Sequence, residues 1–188
     1  MLKKPNNFEK TQVFKEFTRL TAGGHKCIIV EAEEYTSRTG KAMIKVTVDT
    51  SSDDKFPNYF SELYKNSNKE NNKWSNNAVS YILLEDNEGN CSRRFKQFTN
   101  AVEDSNNGFS SEALFGNANL NTVLKGRKVG VLFREEEFIK TNGDVGVSVK
   151  AFSFGAYDSI EGFKVPKRLE VEVPDSDLSV CNNEDLPF

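Results

Sequence analysis

The sequence predicts a mostly β fold of five short strands, with one helix between the third and the fourth. Three observations carry this reading. Apolar and polar residues alternate over residues 41–50 and 145–154, the period of a strand with one buried face. Each of these strands belongs to a tight hairpin, closed by Thr36-Ser37-Arg38-Thr39-Gly40 in one case and Thr141-Asn142-Gly143-Asp144 in the other. One segment joins a capping serine, Ser92, to an apolar stripe of Phe95, Phe98 and Val102, which is the signature of an amphipathic helix.

In chain order, residues 8–20 carry scattered apolar groups and fit a short helix or an extended arm. The first strand, residues 26–35, is β-rich around Cys27-Ile28-Ile29-Val30. Gly40 supplies a positive φ in the turn that follows. In the second strand Ile44, Val46 and Val48 point one way and Lys45, Thr47 and Asp49 the other. Residues 51–77 form a long polar insertion, in which Phe60, Leu63 and Tyr64 have helical spacing. A third strand over residues 78–86 ends at the turn Asn87-Glu88-Gly89-Asn90. After the helix come a Ser-, Asn- and Gly-rich loop, an apolar-spaced piece over residues 112–124, and a fourth strand over residues 127–140. In the fifth strand the alternation sets Lys150, Phe152 and Phe154 on one face. This order matches the oligonucleotide-binding (OB) fold, a five-stranded Greek-key barrel with a helix between strands three and four. A six-stranded sandwich or another small barrel accepts the same string.

The chain of 188 residues suits one domain with a tail. The expected division is an arm over residues 1–21, a barrel over 22–168 and an acidic tail over 169–188. The tail holds Glu170, Glu172, Asp175, Asp177, Glu184 and Asp185 and no Lys or Arg. Without these six, 22 acids face 25 bases, so a net charge of −3 conceals a body of +3 and a tail of −6. No apolar run approaches the ~20 residues of a membrane span, and residues 1–7 lack the apolar stretch of a signal peptide, so a cytosolic protein is expected. Cys27 and Cys91 are expected to pack as small apolar groups, with Cys181 in the tail. Neither a metal site nor a cofactor is expected.

Binding a single strand needs cations along the phosphates and exposed aromatics for the bases. Candidates are Arg38, Lys41 and Lys45 around the first hairpin, and Tyr59, Tyr64, Lys65, Lys73 and Trp74 in the insertion. Arg93, Arg94 and Lys96 open the helix, where they oppose its dipole, and Lys150 and Phe152 lie on strand five. Trp74 stands out, because a lone Trp in a Lys- and Asn-rich loop has little local core to join. Tyr59 and Tyr64 serve equally well to pack the insertion. Catalysis finds no support. There is no Gly-x-x-x-x-Gly-Lys phosphate loop, no Gly-x-Ser-x-Gly elbow and no His-centred pair, and His25 reads as a turn or strand-end residue. Glu135-Glu136-Glu137 alternates faces near a hairpin, where charges are usually solvated.

The chain ends Asp185-Leu186-Pro187-Phe188. Pro187 restricts the end, the Phe188 ring can fill an apolar pocket, and its carboxylate can meet a partner's cation. With Leu20-Thr21-Ala22-Gly23-Gly24-His25-Lys26-Cys27, Ser37-Arg38-Thr39-Gly40-Lys41-Ala42-Met43, Leu124-Lys125-Gly126-Arg127-Lys128-Val129-Gly130-Val131, Arg134-Glu135-Glu136-Glu137 and Phe163-Lys164-Val165-Pro166, this tip resembles phage-encoded single-stranded-DNA-binding proteins from phages of Gram-positive bacteria. The resemblance implies a protein that coats single-stranded DNA in phage replication and recombination. It also implies a tip that recruits phage or host replication proteins. The rival expectation is a protein-interaction adaptor that binds nucleic acid only incidentally.

Overall fold

The computed structural model describes residues 3–6, 8–9, 18–67, 72–116 and 119–171. Five antiparallel strands form one sheet in the order β3-β2-β1-β4-β5. They are β1 (Gly23–Thr36), β2 (Ala42–Thr50), β3 (Val79–Leu83), β4 (Lys128–Ile139) and β5 (Val145–Gly155). The expected strand order and both hairpins are present. β1 is central and pairs with β2 on one side and β4 on the other, with an irregularity between Ile29 and Glu31. No ladder joins β3 to β5 among the described residues, so the sheet is open along that seam.

Three short helices, α1 (Tyr59–Lys65), α2 (Arg93–Ser105) and α3 (Leu120–Leu124), complete the body. Ser92 caps α2 by accepting from the Phe95 amide at 3.1 Å, and its hydroxyl also donates to the Leu83 carbonyl. The start of the helix is thereby fixed to the end of β3. Its apolar stripe then buries Phe95, Phe98 and Val102, and Phe98 meets Phe154 of β5 edge-to-face at 5.0 Å. One helix therefore touches both ends of the open sheet. Ile29, Val46, Ile82, Val129, Val131 and Phe133 fill the core between them.

The polar face expected for β2 is only partly polar surface. Thr47 and Asp49 are buried, because the insertion folds back over the end of the strand. The Asp49 carboxylate accepts the amides of Phe60 at 2.9 Å and Ser61 at 3.2 Å, capping α1 from outside that helix. Of the two places expected for His25, it takes the strand end, near the start of β1, and not the turn. It lies fully buried on β1, with Nδ1 3.0 Å from Asp54 and Nε2 3.0 Å from the Thr21 carbonyl. Cys27 is buried as expected, whereas Cys91 is exposed, since its bridge with Glu85 lies beside the solvated 86–90 turn.

Two glycines of the quoted motifs have a packing reason. A Cβ on Gly24 would stand 1.9 Å from the Ile160 carbonyl oxygen, and one on Gly130 would stand 2.6 Å from the Ile160 Cβ. The turn after β5 can close against β1 and β4 only over bare backbone. The chain then runs back along β4. Leu169 donates to the Glu135 carbonyl at 2.9 Å and accepts from the Glu137 amide at 2.9 Å. The first residues of the expected tail thus belong to the folded body.

Candidate nucleic-acid interface

An exposed aromatic pair lies on the outer side of β1, β2 and β3. Tyr35 and Tyr81 meet edge-to-face at 5.0 Å across β2 and are 40% and 45% exposed. Strand register explains the meeting. Lys45 stands opposite Tyr81 on β3 and Glu33 on β1, while Met43 stands opposite Leu83 and Tyr35 in the adjacent row. The two tyrosines therefore stand one row apart on the strands that flank β2, and their rings meet over it. Lys45 donates to Glu33 at 2.5 Å, and that bond raises its pKa above the ordinary lysine value. Arg38 and Lys41 extend the surface into the exposed β1–β2 turn, where Lys41 reaches Asn87 at 2.6 Å.

The insertion residues play mixed parts. Trp74 does find a core: its indole packs against the buried cluster, and Nε1 donates to the Val48 carbonyl at 3.2 Å. The expectation that its loop lacks a core is corrected, because long-range folding brings the end of β2 to it. Tyr64 lies 5.8 Å from the Trp74 ring and stays 43% exposed. Tyr59 packs edge-on to Phe56 and Phe60. Lys65 pairs with Glu62 at 3.4 Å, and Lys73 is exposed.

A second cationic group lies on β4–β5 and the first turn of α2. Arg93 and Lys96 are exposed, and Arg94 donates to the Phe152 carbonyl at 3.0 Å. Phe152 does not share a face with Phe154: it is 37% exposed and Phe154 is buried. The cause is a bulge in the β4–β5 ladder, where Leu132 opposes Ser153 but Phe133 opposes Ala151. The extra residue, Phe152, is turned outward against Arg134, whose guanidinium carbon lies 4.2 Å from the ring centroid. Lys150 pairs with Glu136 at 3.0 Å, and Arg134 pairs with it at 2.7 Å. Burial alone would raise the Glu136 pKa, but these two cations outweigh it and hold it below the ordinary carboxyl value. Glu135 and Glu137 both pair with Arg168, at 2.6 and 3.5 Å. All three glutamates of the run therefore hold cations, and among the described residues no group of acids, histidines and cysteines is placed to hold a metal.

Tyr35 and Tyr81 are not among the binding candidates read from the sequence, and Arg134 enters that reading only through the Arg134-Glu135-Glu136-Glu137 run. The alternation Ser80-Tyr81-Ile82 already carries the signal for Tyr81, since an inward Ile82 sends its neighbour outward. Asp185, Leu186, Pro187 and Phe188 lie outside the described residues. No family model matches the chain, and a search of curated proteins finds no match. No described helix is long and apolar enough to cross a membrane.

Proposed function

We propose that this chain is a single-stranded-DNA-binding protein built on an OB-type barrel, and that the β1–β3 outer face is its stacking surface. The observation that carries the reading is the exposed Tyr35–Tyr81 pair with Lys45 beside Tyr81 in the same row. Burying one such ring costs nothing in specificity, because every base has a face to stack. The fold reading draws support from β1 pairing on both sides, and from a helix between β3 and β4 that touches both ends of the sheet. An OB barrel is itself partly open, and it binds through the strand 2–3 face and the hairpin loops that flank it. Glu33 and Glu31 both act on Lys45, two acids to one base, so this face must bind by stacking rather than by charge. The role of the acidic tail as a recruiter of replication proteins rests on its Asp-Leu-Pro-Phe end.

The test is Tyr81→Ala, alone and with Tyr35→Ala, measured by oligothymidylate titration. Each ring should contribute about 1–3 kcal/mol. The salt dependence of binding should stay unchanged, since no phosphate contact is removed. Undiminished affinity in the double variant sinks this assignment of the stacking face.

A further inference from the structure

The outer face of β4–β5 holds three cations around one carboxylate. Arg134 stands directly opposite Lys150 in the ladder, and both reach Glu136. Arg94 comes in from α2, held by the Phe152 carbonyl at 3.0 Å. Its pKa is pulled below the ordinary arginine value, first by burial and then by the charge of Arg134. The Nε of Arg134 is buried and has no hydrogen-bond partner. A buried guanidinium N–H without an acceptor is costly, and the like charges of Arg134, the exposed Arg94 and the part-exposed Lys150 repel one another at close range. Such a group is completed by an anion that can accept from a fork of N–H donors. A phosphodiester meets that need with two free oxygens in the geometry a guanidinium favours. It also brings a base, and the half-exposed Phe152 ring stands beside the cations to receive one.

We propose that Arg94, Arg134 and Lys150 bind one backbone phosphate of a single strand whose adjoining base stacks on Phe152. This subsite lies on a different pair of strands from the Tyr35–Tyr81 face, and it rests on the single-strand reading above. The first turn of α2 connects the two. Ser92 is bonded to the carbonyls of Leu83 and Leu84 at the end of β3, and Arg94 two residues later is bonded to β5. A strand lying on both surfaces passes from β3 over Arg93 and Arg94 to β5.

The experiment is a nitrogen-detected NMR titration of the full chain, following the Arg134 Nε–H signal, assigned by its loss in Arg134→Gln. The probes are pentathymidylate, thymidine and inorganic phosphate. Pentathymidylate should shift the signal and thymidine should not. In parallel, Arg134→Gln should flatten the log–log salt dependence of poly-dT binding by about 0.7, the value for one phosphate on a single strand. Tyr35 and Tyr81 ring signals that move while Arg134 stays still would overturn this subsite and leave the stacking face standing. If none of these signals moves, the single-strand reading fails and the subsite with it. An Arg134 shift produced equally by inorganic phosphate at the same concentration identifies a free-phosphate site and overturns the strand path.

Discussion

His25 and Asp54 face each other across 3.0 Å with both side chains fully buried, joining β1 to the loop that begins the insertion. The same carboxylate accepts the amides of Lys26 at 2.9 Å and Phe56 at 2.8 Å. Burial alone would raise its pKa, but the His25 and backbone bonds together hold it below the ordinary value of 3.8. A carboxyl depressed on folding stabilises fully above its unfolded value, and that contribution is lost as the pH falls through the folded value. Asp54→Ala strips the acceptor from the His25 ring and from the Lys26 and Phe56 amides, so it should cost about 1–3 kcal/mol or more near neutral pH, the penalty of buried donors left unsatisfied. The difference from wild type should shrink on acidification below 3.8. Chemical denaturation at several pH values checks this, and a difference that grows in acid would contradict it.

Trp74 supplies a second prediction, because packing and DNA stacking make opposite demands on it. Its N–H bond to Val48 and its contact with the core make it a clamp on the insertion. Trp74→Phe keeps a ring and loses that bond, so stability should fall by about 1 kcal/mol. Oligothymidylate affinity should hardly change. A large loss of affinity at unchanged stability would return Trp74 to the DNA path.

These two cases show which parts of the structure are legible in the sequence. Local signals carry the architecture: the alternation of Ile44, Val46 and Val48, the Asn142-Gly143 turn and the Ser92 cap each specify their element from a few neighbouring residues. Trp74 could not be read this way, since its partner Val48 lies 26 residues earlier and meets it only through the folded insertion. Phe152 failed for another reason. A single-residue bulge changes which way every later side chain points, and nothing in Lys150-Ala151-Phe152-Ser153 announces it. Arg134 gained its importance from Arg94, which belongs to another element, and Asp49 became a helix cap only because α1 folds back onto it.

The tail offers a third prediction, sharpened by Leu169. A chain ending at Val171 keeps the backbone bonds of Leu169 to β4 and loses five of the six tail acids. On the proposed reading, the tethered carboxylates would compete with DNA at an effective concentration of about millimolar order. Truncation there should tighten single-strand binding, most at low salt, where screening lengths reach about 30 Å. A chain ending at Arg168 should in addition lose stability, because Leu169 no longer covers the β4 edge. Weaker DNA binding by the chain ending at Val171 would contradict the competitor role. Removing Phe188 alone should leave DNA affinity unchanged. It should weaken capture of purified replication proteins by about 30-fold or more, since a terminal anchor of this kind contributes about 2 kcal/mol or more.

Everything proposed for the five-stranded body depends on a preference for single strands. The direct measurement is a titration of the full-length protein with poly-dT and with a duplex of equal length, at two salt concentrations. The account predicts much tighter binding to poly-dT, little dependence on base sequence, and a log–log salt slope of about −0.7 for each phosphate neutralised. Equal affinity for the single strand and the duplex would contradict it.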